Sequence, residues 1–282
     1  MNNNILSLKG NNYFICDENT ITIEKRKSQE SFVIHDHDFN ELVMVFSGNG
    51  IHTWNGDDYP ITCGDFFYIN ANDRHGYYAV NQLRLVNILY KPEKLLFKQE
   101  ISQYLPLVTE AKEMRQWKLP PSCLSQFVPI IEQIDKECRK PDSLSIHLCE
   151  AFFLQFILLI SRYRYQLNNS PVSSVHLIDI LITRLNQSIS TPFSLNGFAQ
   201  EHQVASRSLY RLFKSNTGMT ITGYLQQLRL CHAATLLRTT DLLISDIAAQ
   251  CGYEDSNYFS SVFHKKMNIT ASDYRQNFHS NK

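Results

Sequence analysis

The sequence predicts an α+β chain of two domains: a small antiparallel β-barrel or sandwich with flanking helices, then an all-α domain in which a long helix joins two helix-turn-helix units. Three observations carry that prediction. From about residue 20 to 92, short segments rich in β-branched and aromatic residues alternate with turn signals such as "SGNG", "NGDD" and "NANDRHG", the mark of closely spaced strands. Beyond Pro92 the apolar residues take up helical spacing. Near the C-terminus a helical pattern occurs twice, offset by 49 to 50 residues.

Size and composition allow both domains. At 282 residues the chain can bury two ordinary cores, and with 43% apolar and 19% charged residues it lacks the composition of disorder. The longest apolar run, "AFFLQFILLI" over 151 to 160, falls short of the roughly 20 residues a bilayer span takes. "MNNNILSLKGNN" has no apolar signal-peptide core. A soluble protein with no membrane partner is expected. Seven scattered cysteines, an odd count with no CxxC pair, point away from a disulfide framework or zinc ribbon and toward a reducing cytoplasm. Acidic and basic residues balance at 27 each, yet residues 176 to 282 hold 10 Lys and Arg against 7 Asp and Glu. That excess is compatible with phosphate binding and is weak evidence for it.

Taken in order, the first chemically marked strand is "HDHDFNELVMVFSGNG", 35 to 50. If its pairing is regular, Glu41, Val43, Val45 and Ser47 share one face and Leu42, Met44 and Phe46 the other. Both faces are largely apolar, which suits a strand with a barrel interior on one side and another layer on the other. Residues 122 to 139 and 143 to 165 read as amphipathic helices, through Phe127, Ile130, Ile131 and Ile134, then Leu144, Leu148, Phe152 and Phe156, with Pro129 near a first turn. These helices are expected to cover the barrel or to pair two subunits. "QLNNSPVSS" then reads as a linker, so the expected domains are 1–165 and 176–282, with 166–175 between them.

In the second domain "LNGFAQEHQVASRSLYRLFKSNTGMT" (195 to 220) aligns with "ISDIAAQCGYEDSNYFSSVFHKKMNIT" (244 to 270), which places the units at about 195–218 and 244–268. Each copy is a short helix holding a small Ala, a tight turn and a longer helix. The pattern over 221 to 238 is a rod of about 27 Å, enough to set the units roughly one turn of DNA apart. With Leu209, Leu212 and Phe213 facing inward, Arg207, Tyr210, Arg211 and Lys214 share the opposite face. Arg suits bidentate contact with guanine, and Lys and Tyr suit phosphate or base methyl groups. The equivalent face of the second copy is Asn257, Ser260, Ser261 and His264, less basic and able to reach base edges only at close approach. A single amphipathic helix of this kind is more often just a solvated face; two copies on one rod weaken that alternative.

These two stretches resemble the DNA-binding domain of the AraC/XylS family of transcription regulators over essentially residues 176 to 278. The N-terminal half resembles the family's sugar-sensing members, through "HDHDFNELVMVFSGNGIHTWN" and "ITCGDFFYINANDRH", and is most like the L-rhamnose-responsive branch. The resemblance implies a cytoplasmic, homodimeric activator that binds double-stranded promoter DNA, answers to L-rhamnose or a related sugar, contacts the sigma subunit of RNA polymerase, and is not an enzyme. Asp246 and Asp255 match positions that meet polymerase in such regulators; a negative charge in the first turn of a helix explains Asp246 equally well. "NITASDYR" departs from the family in having Ala271 where Pro is usual, so a looser helix start is expected there.

The pattern His35-x-His37-x3-Glu41, with His75 eleven residues beyond Gly64, is similar to that of a cupin barrel. In the cupins it resembles, those four residues bind a metal, and three imidazoles with a carboxylate suit Zn, Fe or Mn. Sugar binding is the second reading: His35, His37, Glu41, His75, Tyr77 and Asn87, with Trp54 as an aromatic face, could line a polar barrel mouth. Strand-end histidines bonded locally are the third. The attached DNA-binding region favours the sugar, with no resident cofactor; a metal-dependent cupin enzyme acting on a sugar is the alternative. By resemblance to arabinose-responsive relatives, Tyr77 is the residue that transfers as a sugar contact, whereas residue types differ at Ser47 and Asn87.

Overall fold

The computed structural model describes residues 6–26, 28–106, 114–169 and 174–279. Its first half is built on two long antiparallel strands, β4 (Asn40–Trp54) and β7 (His75–Tyr90), paired from Asn40↔Tyr90 to Trp54↔His75. Shorter strands complete each end. β2 (Ile21–Arg26) and β3 (Phe32–His37) lie along β7, β5 (Asp57–Thr62) and β6 (Asp65–Ile69) along β4, β1 (Leu6–Leu8) on β3, and β8 (Gln116–Lys118) on β6. Because β4 and β7 pass from one layer to the other, the strands wrap around an interior filled by Val43, Val45, Trp54, Phe67, Ile69 and Leu85.

The opposite face of β4, with Leu42 and Met44, packs on two helices, α2 (Leu124–Glu137) and α3 (Ser143–Asn169), through Phe127, Ile131, Phe153 and Phe156. A short helix α1 (Lys98–Ser102) precedes them. Alternation along β4 thus separates barrel interior from helical layer as expected for residues 41 to 45. Beyond Val45 regular pairing fails: the register with β7 shifts three times between Val45 and Ile51, and Gly48 sits at φ 78°. Each irregularity moves a residue to the other face. Ser47 is therefore not on the pocket wall, and His52 and Trp54 take the interior positions instead.

Four sequence expectations are corrected or narrowed here. The presumed linker begins too early, since residues 166–169 form the last turn of α3 and 174–175 open α4 (Ser174–Gln187). Pro129 lies in the second turn of α2, not near the first, on an exposed face of the helix, where its missing N–H removes one bond of the helix ladder. Leu144 and Leu148 are 69% and 39% exposed, so of the two roles expected for their helix they do not serve to cover the barrel. The apolar run belongs to a helix whose residues Ser143–Arg164 are long and apolar enough to cross a membrane, but Cys149, Phe153, Phe156 and Ile157 bury against the barrel. In the same helix the buried Glu150 carboxylate accepts from Thr20 Oγ1 and from the Leu96 and Phe97 amides at 2.7 to 3.0 Å.

The helical domain repeats itself. α5 (Leu195–Glu201) and α6 (Ser206–Thr217) form the first unit, α8 (Ile244–Gln250) and α9 (Ser256–Met267) the second, and α7 (Ile221–Thr239) joins them. Ile221, Tyr224 and Leu228 of α7 pack into the first unit's core with Phe198, Leu209 and Phe213. Leu230, Ala233, Ala234 and Leu237 pack into the second unit's core with Ile247, Phe259 and Phe263. The punctuation also repeats, since both recognition helices end on a left-handed residue, Gly218 at φ 71° and Asn268 at φ 57°. Thr220 then caps α7 and Thr270 caps α10 (Ala271–His279) through their hydroxyls. Ala271 does not leave that start open, because Thr270 Oγ1 bonds both the Asp273 amide and its carboxylate.

Candidate ligand pocket and DNA-binding surface

The barrel mouth holds a small cavity of about 70 Å³, below the usual volume of small-molecule sites. β3, β4 and β7 bring to it all six sequence-predicted residues: His35, His37, Glu41, His75, Tyr77 and Asn87. Their proximity follows from register, as His35 pairs with His75 across β3 and β7, and Glu41 lies one pair from the Asn40↔Tyr90 end of β4. Trp54 is not among them; it is fully buried in the barrel core under the Arg115 guanidinium, 4.7 Å from its ring.

Glu41 Oε2 lies 3.4 Å from His37 Nε2 and 3.3 Å from His75 Nε2, with all three side chains almost wholly buried. The His37 Nδ1 is tied to the Phe39 carbonyl at 2.6 Å while the ring stacks on Phe39. That bond requires Nδ1–H, so the neutral ring directs a bare Nε2 at the carboxylate. His35 Nδ1 sits 3.0 Å from the Val33 carbonyl and its ring 4.3 Å from that of His75. Burial, then the imidazoles of His35, His52 and His37, hold His75 well below the ordinary histidine range and hence neutral. Burial also lowers His35; for His37 burial is opposed by the Glu41 carboxylate, which together with the Phe39 carbonyl leaves it raised.

Several polar atoms here are buried with no hydrogen-bond partner: His37 Nε2, His75 Nε2, the Tyr77 hydroxyl and Asn87 Oδ1. The two imidazole nitrogens are near Glu41 in distance but not in hydrogen-bond geometry. Each orphaned group costs on the order of 1–3 kcal/mol unless something satisfies it. One donor atom each from His37, Glu41 and His75 lies within 4.8 Å of the others, a spacing that could also hold a metal ion. Sequence reasoning missed His52, whose Nε2 is 3.4 Å from His75 Nδ1 and whose ring stacks on Tyr77. Even-numbered, it falls on the wrong face of a regular strand, and only the irregularities after Val45 turn it inward. Glu24 and Arg26 of β2 also line the cavity; Glu24 is paired with Asn87, and alternation on β2 was the signal available for it.

On the helical domain, Arg207, Tyr210, Arg211 and Lys214 are exposed along α6, and Asn257, Ser260, Ser261 and His264 along α9. Their opposite faces bury Leu209 with Phe213 and Phe259 with Phe263. The first unit is braced from Ser206 Oγ to Asn196 Oδ1 at 2.7 Å. Ser260 Oγ donates to the Ser256 carbonyl of its own helix, so its hydrogen is engaged while its lone pairs remain for a base or phosphate. Asp246 is exposed in the first turn of α8. Asp255 has a structural role: its carboxylate caps α9 by accepting from the Asn257 amide at 2.7 Å.

A polar-lined barrel carried on paired helix-turn-helix units defines a class, that of DNA-binding regulators with a built-in ligand-binding domain. Comparison with known proteins agrees: residues 198–277 match a helix-turn-helix domain and residues 19–157 an AraC-like ligand binding domain. The chain belongs to the AraC family of transcriptional activators. It is 46% identical over 274 residues to the HTH-type transcriptional activator RhaR of Mannheimia succiniciproducens, covering 97% of this chain and 98% of that one. With the RhaR of Pectobacterium carotovorum it shares 43% over 273 residues, covering 97% and 96%. Among solved structures, the C-terminal domain of the response regulator yesN from Fusobacterium nucleatum matches 34% of this chain and 95% of its own, at 35% identity and a TM-score of 0.33.

Proposed function

We propose that this activator is controlled by a sugar, L-rhamnose or a closely related deoxyhexose, bound among His35, His37, Glu41, His75, Tyr77 and Asn87. The observation that carries the proposal is the set of orphaned polar atoms facing the cavity. A polyhydroxylated ligand supplies many paired donors and acceptors, whereas an apolar one would leave every orphan in place. The printed name RhaR of the relatives supports the choice of sugar. The pocket is assigned no catalytic role and no resident cofactor.

The remaining parts follow the same reading. Arg207 and Arg211 read bases in one major groove with Tyr210 and Lys214 on methyl or phosphate, and Asn257, Ser260, Ser261 and His264 face the next groove. Asp246 is exposed to meet a basic part of the sigma subunit of polymerase; Asp255, occupied in its cap, is the weaker of the two candidates. The homodimer forms through α3, where Leu144, Leu148 and Leu158 at 39% to 69% exposure follow one helical stripe. The cytoplasm, where promoter DNA and polymerase are found, is the place of action, and the seven cysteines are all free.

Thermal unfolding in a panel of sugars tests the reading. L-rhamnose at 100 times its dissociation constant is expected to add about 2.7 kcal/mol of stability, and Tyr77→Phe to weaken its binding through loss of one hydrogen bond, about 0.5–1.5 kcal/mol. A panel in which no deoxyhexose shifts the transition rejects it. One observation favours a second reading, the convergence of His37, Glu41 and His75 donors: a divalent metal that helps hold the sugar. Stoichiometric metal in the purified protein, lost in Glu41→Gln, is the result that reading requires.

A further inference from the structure

The sensor and the DNA-binding domain meet across a buried seam. From the sensor come Ile51 of β4, Gly56 and Asp58 of the β4–β5 hairpin, and Tyr78 with Ala79 of β7; from the helical domain come Gln227 and Arg238 of α7 and Tyr274 of α10. Ile51, with no exposed surface, belongs to the same apolar core as Leu230, Ala234 and Leu237. Gln227 Nε2 donates to the Gly50 carbonyl. At the centre Arg238 Nη1 lies 2.6 Å from Asp58 Oδ2 and 2.9 Å from the Tyr274 hydroxyl, and Arg238 Nη2 donates to the Gly56 carbonyl at 2.7 Å. The Asp58 side chain is completely buried and that of Arg238 is 9% exposed.

Two features make this seam more than glue. A buried ion pair regains little net energy, because desolvation of both charges offsets most of their attraction, whereas separating the domains rehydrates both. Burial indeed pushes the Asp58 carboxyl up despite the guanidinium beside it. The ion pair thereby adds little net energy to docking and leaves the apolar contacts around Ile51 to hold the seam. The second feature is alternation: β4 and β7 carry the pocket on one face and the seam on the other. Tyr77 lines the pocket and stacks on His52, its buried cross-strand partner in the barrel interior, while the next pair, Ile51 and Tyr78, face the helical domain. Thr53 follows His52 and its hydroxyl donates to Asp58 Oδ1 at 2.8 Å.

We infer that Asp58, Arg238 and the seam around them form an interdomain latch through which the state of the sensor pocket reaches the second helix-turn-helix unit. The latch rests on the pocket being the effector site. It works because any ligand that moves Tyr77 or His75 displaces the β7 backbone that positions Tyr78 and, through His52 stacked on Tyr77, the β4 backbone that positions Thr53 and its partner Asp58. By linkage, a seam that responds to the ligand must alter ligand affinity in return.

The full-length protein tests this with L-rhamnose as probe, comparing wild type, Arg238→Gln, and the double variant Asp58→Asn with Arg238→Gln, which leaves no unpaired buried charge. Amide hydrogen exchange at 57–62 and 221–239 reads the seam, and operator affinity with and without L-rhamnose reads the coupling. In wild type the sugar is expected to change operator affinity by about fivefold or more, the lower end of ordinary allosteric coupling. In the double variant exchange at both segments should rise and that ratio should fall toward one. Unchanged exchange overturns the docking, and loosened segments with a full sugar response overturn the coupling. A wild type indifferent to L-rhamnose, whose segments still loosen in the variants, counts against the sugar assignment and for the docked seam.

Discussion

Arg211 and Asp255 show how differently two exposed polar side chains in the DNA-binding domain can act. Arg211 is exposed on the face of α6 opposite Leu209 and Phe213, free to bond two acceptors of one guanine. Arg211→Ala is expected to weaken operator binding by about 1–3 kcal/mol and to relax preference at one base pair, as measured on a set of single-base operator variants. Equal losses on every sequence would make Arg211 a phosphate contact instead. Asp255 acts on its own helix. With its carboxylate on the Asn257 and Tyr258 amides, Asp255→Ala should cost about 0.5–2 kcal/mol of stability, and Asp255→Ser, another good cap, should restore most of it. If Asp255→Ser folds and binds operator like wild type yet fails to activate, the carboxylate also meets polymerase.

At the scale of elements, spacing along the sequence identified what local periodicity governs. Both helix-turn-helix units, the rod between them and the two sensor helices fall within a few residues of their observed limits, because an apolar stripe and its caps are written in neighbouring residues. Pairing between distant strands was less legible. His52 turned into the barrel interior, and Ser47 stayed off the pocket wall, through register irregularities that no alternation rule anticipates. The period of Leu144 and Leu148 marks an apolar stripe but leaves open whether it covers the barrel or pairs two subunits, because period alone does not say whether the second surface belongs to the same chain; their exposure sets them apart from the barrel. That exposed stripe gives α3 its own prediction. Leu148→Lys together with Leu158→Lys should leave the fold intact, since both residues already meet solvent, and should convert a dimer into a monomer in analytical ultracentrifugation. A dimer that survives both changes places the subunit contact elsewhere.

For the whole molecule the salient quantity is charge, and its distribution matters more than its sum. With 27 basic and 27 acidic residues the chain has no strong overall field, so attraction to DNA is expected to come from local groups of cations such as those on the faces of α6 and α9. Each phosphate neutralised releases counterions, and the logarithm of affinity falls against that of salt with a slope of about 0.9 per contact. Lys214, at the last turn of α6, is the cation best placed for phosphate on the first unit. Removing one such contact lowers the slope by about one. A dimer with both protomers engaged carries Lys214 twice, so Lys214→Ala is expected to flatten the slope by about two on a full operator and by about one on a half-site, measured by titration across a range of salt. A change of about one on both DNAs would mean that a single protomer holds the operator.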